Sequence, residues 1–179
     1  MNVLAYSRFT AAMALVAVAL ALTALGVRFF APAGSRAGVA DASRWLAWTV
    51  AFSSMVGSLI YSEGYGFTPC KLCWYQRIAM YSLAVILLVG ALRRDRMLRF
   101  YGLPLSLIGL GISIWHILIQ NVTALQGGFA CDPANPCYAK WVNAFGFVSI
   151  PVMALAGFLL ISVLLAFFSS DSDPEGRPT

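Results

Sequence analysis

Apolar residues occupy this chain in long unbroken blocks, with polar positions gathered into the gaps between them. Five blocks stand out, at residues 9–27, 45–62, 73–92, 100–119 and 150–168, the last lying within an uncharged run from 141 to 170. A bilayer core of roughly 30 Å is crossed by about 20 residues of α-helix, and each block approaches that length. Strands are excluded, because the apolar positions do not alternate and a segment in lipid must satisfy its own backbone hydrogen bonds. Five transmembrane helices are predicted. Pro151 suits the start of the last one, where its missing N–H costs little.

The gaps have distinct characters. Residues 31–44 read as a small, polar, helix-poor linker, and 93–99 as a tight basic turn. A short loop, 63–73, leads into the third helix, and 120–149 is the longest connection. The polar stretch 169–179, containing Pro and Gly, is expected to be a disordered tail.

Of 179 residues, 60% are hydrophobic and only 11% charged, with a mean hydropathy of +0.80. A soluble domain carries roughly 25% charged residues, so a surface covered by water is excluded. The net charge of +5 suggests nucleic acid at first sight, but its distribution reads as membrane topology. Arg28, Arg36, Arg44, Arg93, Arg94, Arg96, Arg99 and Arg177 fall on one side of a five-span arrangement; Arg8, Lys71, Arg77 and Lys140 fall on the other. Basic residues concentrate on the cytoplasmic side. The N-terminus and both cysteine-bearing loops are therefore expected outside and the C-terminus inside, with lipid as a partner and no nucleic acid. The first block loosely resembles a signal peptide, but it exceeds the usual apolar run of about 7–15 residues. Its removal would also reverse the remaining spans against the charge bias, so a retained helix is expected.

The chemistry lies in four cysteines in two pairs. Cys70 and Cys73 form a C-x-x-C at the entrance to the third helix; Cys131 and Cys137 enclose Asp132-Pro133-Ala134-Asn135-Pro136 in the long loop. Structural disulfides, a four-thiolate zinc site and a redox relay all remain open. Zinc is disfavoured because the second pair has a wide spacing, the pairs sit on separate loops and no histidine accompanies them. A bridge across C-x-x-C closes too short a loop to constrain the unfolded chain much. A redox role has direct support, since a helix N-terminus stabilises thiolate over thiol. Arg77, one turn after Cys73 on the same face, adds a cation that favours a thiolate at Cys73 or holds an electron-rich ligand beside it. A relay in the membrane boundary needs a lipid-soluble oxidant, and a quinone fits. His116, late in the fourth helix at the same end, is a candidate to border that pocket, with Gln76 and Gln120 as weaker ones.

The string Phe67-Thr68-Pro69-Cys70-Lys71-Leu72-Cys73-Trp74-Tyr75-Gln76-Arg77-Ile78 resembles the DsbB family of membrane disulfide-forming oxidoreductases, in its BdbC-type branch. Gly57-Ser58-Leu59, Ile112-Ser113-Ile114-Trp115-His116, Cys131 with Pro136-Cys137, and Phe145-Gly146-Phe147 continue the likeness, which covers residues 44–168. The resemblance implies an all-α membrane protein with a four-helix bundle at 45–168, to which residues 1–30 add a further N-terminal helix. It implies oxidation of a DsbA-like thioredoxin-fold thiol oxidase, with electrons passed to ubiquinone or menaquinone. By position, Cys131 would form the mixed disulfide with the partner and Cys137 would exchange with Cys70. Cys73 would be the thiolate next to the quinone, with Arg77 as its cationic companion. Because the second pair is closely spaced, Cys131 and Cys137 could instead pair with each other at rest. A vitamin-K-epoxide-reductase-type quinone reductase, and a scaffold or small transporter with stapled loops, are the competing readings.

Overall fold

A computed structural model describes residues 2–30, 33–95, 97–126, 131 and 135–168. They form helices α1 (Val3–Phe30), α2 (Ala33–Leu59), α3 (Lys71–Arg93), α4 (Leu98–Asn121) and α5 (Ile150–Phe167). A π-helical turn, Ile60–Gly64, prolongs α2, and a 3₁₀ turn, Thr123–Leu125, follows α4. The expected disordered tail at 169–179 lies outside the described residues.

All five expected helices are present, and α2 departs most from expectation. It begins at Ala33, so most of the segment expected to be a helix-poor linker is helical. Alanines at 33, 37, 40 and 42 supply strong helix propensity, and no proline interrupts the run after Pro32. The mix of small and polar residues had disguised this.

Helices α1, α3, α4 and α5 are long and apolar enough to cross a membrane. Helix α2 has the length but interleaves hydroxyl residues. Those hydroxyls are satisfied locally: Thr49 donates to the Trp45 carbonyl at 2.8 Å and Ser53 to that of Thr49 at 2.7 Å. A hydroxyl bonded back to its own helix needs no water. Packed against α3 and α5, α2 completes a four-helix bundle with α4. The protein is a multi-pass membrane protein.

Helix α5 is apolar all round, which suits a helix enclosed by others. It touches α1, α2 and α4, and Phe158, Leu160, Ile161 and Leu165 are fully buried. Small residues let α4 approach it closely. Gly109 lies under the Phe158 ring, where a Cβ would overlap it. Beside it, Ser106 donates to the Phe158 carbonyl at 3.0 Å and pairs with the Ser162 hydroxyl at 2.8 Å. Outside, Ile78, Val85 and Leu92 form a stripe down α3 that is 61%, 63% and 64% exposed, a face made for lipid.

Helix α1 runs parallel to α5, with Phe29 against Phe167 at one end. At the other end Tyr6 packs with Tyr61, Val142 and Val148. The start of α1, the end of α2 and both cysteine loops therefore share one end of the bundle. Arg28, Arg44, Arg93, Arg94 and Arg99 belong to the opposite end.

Candidate redox site

Cys70 is the N-cap of α3: its backbone is extended, and its sulfur accepts the Cys73 N–H at 3.4 Å. This position offers an anion the unpaired amides and positive dipole of the first turn. The Cys73 sulfur lies 2.9 Å from that of Cys70, and neither is bridged. The pKa of Cys70 is lowered to about 4, chiefly by the hydrogen bond from the Cys73 side chain and secondarily by His116, while burial opposes the shift. The sequence placed the preferred thiolate at Cys73. The structure gives the cap to Cys70, because α3 starts at Lys71 and not beyond the motif.

Cys131 and Cys137 form a disulfide with 5.5 Å between their Cα atoms. Cys137 packs with Cys70, Leu72 and Ile119 in one buried cluster, against which Cys73 and Cys131 also lie. Asn135, inside the bridged loop, donates from Nδ2 to the carbonyls of Pro69 at 3.0 Å and Thr68 at 3.4 Å. The two cysteine loops are thus pinned by the Asn135 side chain to backbone carbonyls next to the C-x-x-C.

His116 links the pairs from below. Its Nε2 is 3.1 Å from the Cys137 carbonyl oxygen and 3.7 Å from the Cys70 sulfur. A carbonyl only accepts, so Nε2 carries the proton. Among the described residues, buried Nδ1 has no hydrogen-bond partner. A small cleft opens here, lined on its polar side by Cys70, Cys73, His116 and Gln120. Trp141, Val142, Ile150 and Pro151 supply much of its apolar wall. Gln120 is held by Ser149, which donates to its Oε1 at 2.8 Å. Gln76 turns away and donates to Ser113 at 3.1 Å.

Arg77 is buried, and its guanidinium is gripped by the end of α2. Nε donates to Ser58 Oγ at 2.8 Å, while Nη2 donates to the Ser58 carbonyl at 2.6 Å and to Ser62 Oγ at 2.8 Å. Its carbon Cζ stands 5.3 Å from the Trp74 ring centroid. Headgroup snorkelling is not what holds it. Ser58 and Ser62, four residues apart on one face of α2, are Arg77 partners that sequence reasoning missed. The contacts of Asn135 with the C-x-x-C loop and the place of Trp141 in the cleft wall were missed as well.

The sequence reading that no histidine accompanies the cysteines fails. The ligand atoms of Cys70, Cys73 and His116 lie within 4.8 Å of one another. Distance alone would let this trio hold a metal ion. A metal-bound histidine ordinarily donates its other ring N–H to an acceptor, however, and Nδ1 finds none here. The geometry suits thiol chemistry better.

The family model described as disulfide bond formation protein DsbB matches residues 40–168. The chain belongs to the DsbB family. It is 48% identical over 120 residues to a probable disulfide formation protein of Oceanobacillus iheyensis, covering 66% of this chain and 83% of that one. It is 41% identical over 127 residues to disulfide bond formation protein C of Bacillus subtilis, covering 71% and 92%. A probable disulfide formation protein C 2 of Bacillus anthracis is 44% identical over 120 residues, covering 67% and 85%. No solved structure matches the chain. Membership in the DsbB family makes the protein a thiol:disulfide oxidoreductase. The matched region begins inside α2, so α1 lies outside it.

Proposed function

We propose that this DsbB-family protein reoxidises a thioredoxin-fold, DsbA-like thiol oxidase outside the cytoplasm and delivers the electrons to ubiquinone or menaquinone. The observation that carries this reading is the single buried cluster in which a bridged pair and a dithiol meet through His116 and Asn135.

The partner's thiolate attacks the sulfur of Cys131, forming a mixed disulfide and releasing Cys137 as thiolate. The partner's second thiol then displaces Cys131, leaving the partner oxidised and this pair reduced. Cys137 attacks Cys70 of a Cys70–Cys73 disulfide and releases Cys73; attack by Cys131 on Cys137 then restores the loop bridge. Two electrons now reside on Cys70 and Cys73, the distribution of bridged and free cysteines observed here. Each step is an exchange through a mixed disulfide. A quinone, when bound, takes up two electrons and two protons. The lining of the cleft suits such a ring chemically, being mostly apolar with two thiols and the His116 imidazole.

The arginines gathered at the end of the bundle opposite the cysteines support an extracytoplasmic site, because basic residues concentrate on the cytoplasmic side. The test is catalytic turnover. Purified protein, a reduced DsbA-like partner and a soluble quinone analogue should together yield quinol and oxidised partner. Cys73→Ala should abolish quinol formation; undiminished turnover in that variant overturns the reading.

A further inference from the structure

Helix α1 lies outside the region matched to the family, yet its first turns reach the site. Tyr6 donates from its hydroxyl to the Gly57 carbonyl at 3.3 Å, and Thr10 Oγ1 pairs with the Tyr61 hydroxyl at 2.7 Å. Gly57 and Tyr61 directly precede Ser58 and Ser62, the two residues that hold Arg77. On the last turns of α2, therefore, one pair four residues apart is fixed by α1, and the adjacent pair binds the guanidinium of α3. This is also where α2 widens into its π-helical turn, and such widened turns gather at functional sites. Tyr61 is buried, stacks on Phe67, and Phe67 in turn meets Trp141 in the wall of the cleft.

We infer that α1 is a positioning element for the redox site: Tyr6 and Thr10 set the end of α2, which in turn sets where the Arg77 charge stands relative to Cys73. The inference rests on the quinone-dependent reading for its first readout and has a second that does not. Without Thr10, the buried Tyr61 hydroxyl loses its partner and shifts to find another, carrying Ser62 with it. Arg77 then moves or loses a hydrogen bond, and the fold of the bundle is untouched because α5, not this contact, holds α1 in place.

The experiment compares Thr10→Val, Thr10→Ser, Arg77→Ala and the Thr10→Val/Arg77→Ala double variant in the full chain in lipid nanodiscs. Thr10→Val should raise the apparent KM for a soluble quinone analogue about threefold or more with kcat unchanged. Thr10→Ser should restore it, and Thr10→Val should add nothing in the Arg77→Ala background. The second readout is the alkylation rate of Cys73 in the reduced protein, expected to fall in Thr10→Val and again to be indifferent in the Arg77→Ala background. Tyr6→Phe should reproduce the Thr10→Val effects more weakly, which guards against a variant that fails to assemble. Unchanged KM and unchanged alkylation, or additive losses in the double variant, overturn the inference. Should the parent protein reduce no quinone, the proposed function falls, and the alkylation arm alone decides the role of α1.

Discussion

The Nε2 of His116 stands 3.7 Å from the sulfur of Cys70, so a proton on α4 faces a thiol on the cap of α3. The same nitrogen donates to the Cys137 carbonyl. One ring proton therefore touches both redox pairs, through sulfur in one and through backbone in the other. His116→Phe keeps the bulk and removes both contacts. Cys70 should then lose a thiolate-stabilising donor, and its alkylation rate near pH 5 should fall by about twofold to tenfold, since a hydrogen bond to a charged group contributes about 1.5–3 kcal/mol, or one to two pH units. Mass-spectrometric labelling of Cys70 in reduced protein measures this. An unchanged rate would show that His116 serves only the loop carbonyl.

The cap predicts a pH profile. With a pKa near 4, Cys70 is thiolate across the neutral range, whereas an ordinary thiol loses about tenfold in thiolate for each pH unit below roughly 8.5. Alkylation of Cys70 should be flat from about pH 5 to pH 8 and fall below that. The sign for stability follows. A depressed folded pKa stabilises the reduced protein fully above the ordinary thiol value. That contribution shrinks as pH falls and vanishes once the pH drops through about 4. Protein with Cys70 and Cys73 bridged has no titrating thiol there and should lack the slope. Parallel pH dependence of thermal unfolding in the two redox forms would contradict the assignment.

Asn135 ties the bridged loop to the Pro69 and Thr68 carbonyls. Asn135→Ala should leave helix content and both pairs intact but loosen the approach of one pair to the other. Losing about 1 kcal/mol of hydrogen bonding would slow disulfide transfer between the pairs by up to about fivefold. Rapid acid quench followed by alkylation reads that transfer directly. A rate equal to the parent's would mean the loops meet without this contact.

The helices were legible because lipid demands continuous apolar blocks, and length alone then counts them. The start of α2 was not, because Ala33–Leu59 opens with small and polar residues whose helical state depends on propensity and not on an apolar face. At the site, the motif revealed Cys70, Cys73 and Arg77, and the single histidine late in the fourth block pointed to His116. What Arg77 touches was hidden. Ser58 and Ser62 become its partners only once α2 and α3 lie side by side, and serines spaced by four are commonplace in membrane helices. Asn135 was equally unreadable, since its acceptors are backbone carbonyls and leave no mark in the sequence. The choice of Cys70 as the cap hinged on where α3 begins, a boundary that the apolar pattern placed two or three residues late.

Helix packing offers the sharpest contrast between neighbouring positions. A Cβ at Gly109 would overlap the Phe158 ring, a fully buried side chain that α5 cannot easily swing aside, whereas a Cβ at Gly111 meets nothing within 4 Å. Both positions lie inside α4. In an exposed helix, Gly→Ala gains about 1 kcal/mol of propensity, and Gly111→Ala should leave stability equal to the parent's or slightly higher. For Gly109→Ala that gain is opposed by overpacking, which costs about 1–3 kcal/mol, and by displacement of the Ser106 bonds to Phe158 and Ser162. It should lower the thermal unfolding midpoint in detergent while leaving the C-x-x-C thiols titratable. Equal midpoints for the two alanine variants would show that α4 and α5 do not meet at Gly109.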